Sequence, residues 1–193
     1  MQLAANLRAS NFQARRLPLD RSIMLRLSYR QLCSLGFLAC VCGMGFALYL
    51  QHYRNLEPCN MCIFQRVAMI GAGIFFLAGA VHGPKAGGRW FWSGLATVAS
   101  LAGAALAARH VWIQSLPEDQ VPACGGTLDY LFNMMPWQEV VQNVLRGDTD
   151  CAKINAAWLG LALPAWTLIT FIGLTMYALL TPVLAKTSDR NTL

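Results

Sequence analysis

Residues 61–81 read MCIFQRVAMIGAGIFFLAGAV and carry a single charge, Arg66. At 1.5 Å per helical residue, an apolar run of about 20 residues matches the roughly 30 Å hydrocarbon core of a bilayer. Three more such runs follow the same rule: 31–50 (QLCSLGFLACVCGMGFALYL), 90–110 (opening WFWSGLATVASLAGAALAA) and 156–181. Apolar residues make up 56% of the 193-residue chain and charged ones only 12%, against about 25% charged in a typical soluble protein. A soluble fold would need four helices apolar on every side, which a small chain cannot bury. The expected fold is therefore an all-α four-helix transmembrane bundle. It would comprise an N-terminal tail (1–30), one four-span domain (31–182) and a C-terminal tail (183–193). The first tail is basic but lacks a small-residue cleavage pattern, so it reads as a flexible tail rather than a signal peptide, with Met24 an alternative start.

The net charge of +6 first invites a nucleic-acid partner, but its distribution argues for topology instead. Arg8, Arg15, Arg16, Arg21, Arg26 and Arg30 precede the first span. Lys85 and Arg89 lie in the turn between the second and third, and Lys186 and Arg190 follow the fourth. Four spans put these segments on one side, which the positive-inside rule makes cytoplasmic, with both termini. No nucleic-acid role is expected. Loops 51–60 and 111–155 then face outward, and the second carries Glu118, Asp119, Asp129, Glu139, Asp148 and Asp150. Within it, PWQEVVQNVLRGD (136–148) predicts a short amphipathic helix with Pro136 in its first turn, Gly147 at its end and Val140, Val141, Val144 and Leu145 on one face. Such a helix suits the membrane surface or the rest of the loop.

Seven cysteines divide by this topology. Cys33, Cys40 and Cys42 lie within the first span, where a thiol is a small apolar filler. Cys59, Cys62, Cys124 and Cys151 lie in or beside the outward loops. Three readings compete for these four. A structural zinc site usually shows two short knuckles, and only Cys59–Cys62 is one. Two static disulfides would staple the loops of a non-catalytic membrane protein. A redox pair is favoured by position, because Pro58 suits the first turn of the second span and a helix N-terminus stabilises a thiolate there. Arg66 strengthens that reading. It lies four residues after Cys62, hence on the same helix face, and a membrane-embedded arginine is costly enough to mark function unless it snorkels to the headgroups. A guanidinium beside a thiolate at this depth is an anion-stabilising site.

This arrangement resembles the DsbB family of bacterial disulfide-forming membrane oxidoreductases. The resemblance rests on Cys59-Asn60-Met61-Cys62, Arg66, the later loop pair Cys124 and Cys151, and ALPAWTLITFIG (162–173) opening the last span. It implies an inner-membrane enzyme that oxidises a DsbA-like periplasmic thiol oxidase. The electrons pass to a membrane quinone, ubiquinone or menaquinone, and so to the respiratory chain. By the same resemblance, Cys124–Cys151 is the disulfide attacked by the partner. Cys151 passes electrons to Cys59–Cys62 through a Cys59–Cys151 bridge, and Cys62 faces the quinone with Arg66. His110 and Gln114, four apart at the end of the third span, match the family's quinone-side pair. A paralogue serving a dedicated partner would share the scaffold. One departure is Gln65, where an acidic residue often precedes the arginine.

Overall fold

The computed structural model describes residues 27–117, 120–121, 126–152, 157–158 and 160–190. Four long helices dominate: α1 (Tyr29–Tyr53), α2 (Asn60–His82), α3 (Ala86–Gln114) and α7 (Leu163–Arg190). Each contains a stretch long and apolar enough to cross a membrane, and the chain is a four-span membrane protein. Between α3 and α7 lie three short helices, α4 (Leu128–Met134), α5 (Trp137–Arg146) and α6 (Thr149–Ala152), then a two-residue-per-strand hairpin, β1 (Ala157–Trp158) and β2 (Leu161–Ala162). Helix α3 packs along both α2 and α7, α2 also packs along α1, and α1 meets α7, closing the bundle.

The helix ends follow from local chemistry. Ser28 caps α1 in a reciprocal box with Gln31, the Ser28 hydroxyl accepting from Gln31 N and the Gln31 amide oxygen accepting from Ser28 N. Helix α2 stops at Gly83, whose φ of 52° is left-handed and favours glycine. Packing inverts the soluble pattern, as a lipid solvent requires. Leu38, Ile70, Ile74, Val98 and Ile172 point outward, while Ala72, Ala96, Ala107 and Ala178 are fully buried beside Phe76 and Phe171. Small residues let the backbones approach. A Cβ on Gly103 would stand 2.2 Å from the Phe171 ring, and one on Gly36 2.8 Å from that of Phe76. Buried Thr97, Thr175 and Thr181 return their hydroxyls to the carbonyls of Ser93, Phe171 and Tyr177, so no hydroxyl of these three meets hydrocarbon without a partner.

At one end of the bundle a second, smaller core forms where the start of α2 and the end of α3 meet the connecting helices: Met61, Ile113, Leu131, Val140, Val144 and Cys151. Two boundaries differ from the sequence expectations. Helix α5 begins one residue later than expected, with Pro136 as its N-cap and Gly147 (φ 81°) as its C-cap. Its buried stripe is Val140 and Val144 alone, packed toward Met61 and Ile113, while Leu145 is exposed. The helix is therefore packed on the rest of the site end by one narrow face. The fourth span also begins later than expected, at Leu163 rather than 156. Gly160, with φ 80°, turns the chain into the hairpin, and Pro164 is tolerated only because it falls in the first helical turn.

Candidate functional site

The site is built on the start of α2. Cys59 is extended (φ −66°, ψ 165°) and acts as the N-cap, its sulfur accepting from Cys62 N at 3.4 Å. The sequence expectation put both cysteines inside the first turn. Pro58 instead lies before the cap, and the helix opens at Asn60. A cap side chain folds back over N3, which brings Cys59 Sγ to 3.0 Å from Cys62 Sγ. Both are free thiols, about 1 Å beyond the roughly 2.05 Å bond they would form.

Helix α3 delivers His110 to this pair. Its ring is 2% exposed, with Nε2 3.8 Å from Cys59 Sγ and Nδ1 4.0 Å from Cys62 Sγ. Nε2 also lies 3.1 Å from the Cys151 carbonyl oxygen and Nδ1 3.4 Å from Gln65 Nε2. A carbonyl only accepts and an amide N–H only donates, so the consistent neutral tautomer has Nε2–H donating to Cys151 O and Nδ1 accepting from Gln65. Each ring nitrogen also stands within 4.0 Å of one of the two sulfurs. Gln65, which also lines the cavity described below, is buried and directs its amide to this ring.

The third sulfur arrives from α6. Asp148, itself buried, accepts from Cys151 N at 2.9 Å through Oδ1, and this cap seats Cys151 at 1% exposure. Cys59 Sγ, a His110 ring nitrogen and Cys151 Sγ lie within 4.8 Å of one another. Hydrogen bonding to Cys59 and burial push the Cys151 thiol well above its ordinary range, with the Asp148 carboxylate adding to the shift. When reduced, this two-sulfur, one-nitrogen set has donors suited to a soft divalent cation. It differs from a four-cysteine zinc site by including His110. Cys124, predicted to pair with Cys151, lies outside the described residues.

Two cavities meet at the dithiol. The first, about 650 Å³, reaches Cys59, Cys62, Arg66, His110 and Gln114, with apolar walls from Met44, Leu50, Met69, Leu163 and Phe171. Every predicted ligand-side residue therefore lines one space. The second, about 660 Å³, is polar and is lined by Glu57, Cys59, Asn60, Gly126, Asp148 and Asp150. Cys59 borders both cavities, whereas Cys62 borders only the apolar one. Arg66 does not snorkel alone. Its Nη1 donates to Gln51 Oε1 at 2.6 Å and its Nη2 to Ala47 O at 3.4 Å, both on α1. Sequence reasoning missed Gln51, Asn60 and Asp148. Gln51 had one signal, an amide immediately after the apolar run 31–50. The fillers behave as expected in position: Cys33 and Cys40 are buried in the bundle core and Cys42 faces outward.

Comparison with known proteins agrees with this geometry. The family model described as "Disulfide bond formation protein DsbB" matches residues 29–181. The disulfide bond formation protein B of Hahella chejuensis is 48% identical over 149 residues, 77% of this chain and 90% of the relative. That of Acinetobacter baumannii is 46% identical over 156 residues, 80% and 91% of the two chains. Disulfide bond formation protein B 1 of Pseudomonas aeruginosa is 47% identical over 145 residues, 75% and 89%. The match runs from the first residues of α1 into the last span and takes in the whole cysteine site. The chain belongs to the DsbB family.

Proposed function

We propose that this protein is a dithiol:quinone oxidoreductase of a bacterial inner membrane, which forms disulfides by reoxidising a DsbA-like periplasmic thiol oxidase. Membership of a disulfide-forming family supports the oxidoreductase class, and the charge distribution supports a periplasmic site end. The observation that carries the finer reading is the position of the Cys59–Cys62 dithiol. Cys151 Sγ stands on one side of it, and an apolar cavity holding Arg66 lies on the other.

The chemistry balances as a chain of exchanges. The partner's thiolate attacks Cys124 of a Cys124–Cys151 disulfide, and Cys151 leaves as a thiolate. Cys151 Sγ attacks Cys59 Sγ, so that Cys59–Cys151 forms, Cys59–Cys62 breaks and Cys62 leaves as a thiolate. The partner's second thiolate releases Cys124 and departs oxidised. The Cys124 thiolate then restores Cys124–Cys151 and leaves Cys59–Cys62 reduced. Each step exchanges one sulfur–sulfur bond for another, so the two electrons reach the cap of α2 without a free radical.

The residues around the apolar cavity fit a quinone headgroup, which is flat, largely apolar and carries two acceptor oxygens. A bound quinone, ubiquinone or menaquinone, supplies the acceptor for two electrons and two protons. Arg66 is the residue to hold an electron-rich ring oxygen by a charge-assisted hydrogen bond. His110, within 4.0 Å of Cys62 Sγ, holds or takes the thiol proton, and Gln114 offers a polar contact at the cavity wall. The test is direct. Purified protein, given reduced DsbA-like partner and a soluble quinone, should bleach the quinone absorbance in step with partner oxidation. No bleaching would refute the reading and leave the stapled, non-catalytic alternative.

A further inference from the structure

The first variable residue of the C-x-x-C, Asn60, makes contacts that the relay above does not use. Its single amide nitrogen donates to Gly126 O at 3.1 Å and to Asp148 Oδ2 at 3.3 Å. A primary amide carries two N–H groups, so both bonds coexist. Gly126 stands two residues after Cys124, and Asp148 three before Cys151. One side chain on α2 therefore reaches both segments that flank the loop cysteines. The second contact continues inward. Asp148 uses its other oxygen to accept from Cys151 N at 2.9 Å, so Asn60, one carboxylate and the Cys151 backbone form an unbroken hydrogen-bonded chain. Asp148 is only 6% exposed, and a buried carboxylate left without these donors would be costly.

Asn60 is covalently next to Cys59, and Asp148 holds Cys151. We infer that the Asn60–Asp148 pair is a positioning device that fixes Cys59 Sγ and Cys151 Sγ at exchange distance, and so sets the rate of sulfur exchange between the two loops. The physical reason is steep. Well-oriented intramolecular reactions reach effective molarities of about 10⁵–10⁸ M, and a misplacement of about 1 Å costs on the order of 100-fold. The described 126–152 segment also packs on α2 through the narrow apolar core around Met61 and Val140, which is non-directional, and His110 on α3 holds the Cys151 carbonyl. This inference rests on the proposed Cys59–Cys151 exchange and assigns neither residue a contact with a reacting atom.

The experiment separates positioning from the relay itself. In the full-length protein carrying Cys62→Ser and Cys124→Ser, the Cys59–Cys151 disulfide is titrated against reduced and oxidised glutathione, which reads its effective concentration without quinone or partner. Asn60→Leu and Asp148→Leu should each lower that value by about tenfold or more. Because the two share the Asn60–Asp148 bond, the double variant should lose less than the sum of the two single losses. The swap Asn60→Asp with Asp148→Asn reverses donor and acceptor and should recover much of the loss, which a merely misfolded single variant would not do. Unchanged effective concentrations, or additive losses with no recovery in the swap, would overturn the inference. In the otherwise native protein, Asn60→Leu should slow partner-driven quinone reduction in kcat while leaving the KM for quinone unchanged. If the native protein reduces no quinone at all, the proposed function fails while the glutathione titration still judges the pair.

Discussion

Arg66 on α2 and Gln51 on α1 join two spans by a side-chain hydrogen bond, Nη1 to Oε1 at 2.6 Å. The bond answers why an arginine survives a turn inside the apolar boundary. An amide and the Ala47 carbonyl on α1 satisfy part of its donor fork, and five donors leave others for the cavity. Arg66→His should raise the quinone KM at least tenfold with a smaller change in kcat. Gln51→Leu should raise it less, by about 3–30-fold, since a charge-assisted bond is typically worth about 1.5–3 kcal/mol and part of it is replaced by water. Steady-state kinetics with a soluble quinone measure both, and an unchanged KM in Arg66→His would assign the arginine to anchoring alone.

Cys62→Ser should abolish quinone reduction, because Cys62 borders the apolar cavity alone and in the proposed relay is the sulfur that reduces the acceptor there. Cys40→Ser should be close to silent. Cys40 is buried in the bundle core against Gly73, and a serine hydroxyl there can return to its own helix as the native threonines do. Equal losses in the two variants would remove Cys62 from the site.

Gly103→Ala should destabilise the protein by about 1–3 kcal/mol, the usual range for overpacking. The new Cβ would meet the Phe171 ring at 2.2 Å, and that ring is fully buried and forms part of the cavity wall. Thermal unfolding in detergent should therefore show a lower midpoint. The same variant should show a raised quinone KM, because the ring can yield only toward the cavity or the neighbouring helix. A lower midpoint with an unchanged KM would mean the ring moves away from the cavity.

In the fully reduced protein, Cys151 should be the last of Cys59, Cys62 and Cys151 to react with a thiolate-specific alkylating reagent. It is 1% exposed and its thiol is pushed up by Cys59 and by burial. The sign for stability follows. A proton held more tightly in the folded state stabilises it fully below the unfolded thiol value, near 8.5, and that contribution fades as pH rises through the folded value. Melts of the reduced protein should fall more steeply between pH 8 and 10 than those of Cys151→Ser. Parallel slopes would contradict the shift.

Much of this was legible in the chain because the spans are long and nearly uncharged, and because i, i+3 and i, i+4 arithmetic puts Cys59, Cys62 and Arg66 together without any tertiary knowledge. Helix α5 was legible for the same reason, its valines repeating at helical spacing. The rest depends on how each span is rotated about its axis. Spans apolar around their whole circumference leave that angle unmarked, so Gln51 could be counted but not aimed at Arg66. The Asn60–Asp148 bond joins residues 88 positions apart, and nothing local in either stretch announces the other. The late start of α7 was hidden because LGLAL is as apolar as a span, and only the left-handed Gly160 breaks it.

The sharing of Cys59 between a polar and an apolar cavity makes the cap of α2 behave as an insulated feedthrough. In the relay proposed above, reducing power would pass through the wall as a change of sulfur–sulfur bonding, with no solute travelling with it. Cys59 lines the polar cavity as well as the apolar one, whereas Cys62 lines the apolar one alone. On that proposal the protein would stay oxidising in a medium that contains reductants, because the sulfur confined to the apolar cavity is the one assigned to the acceptor.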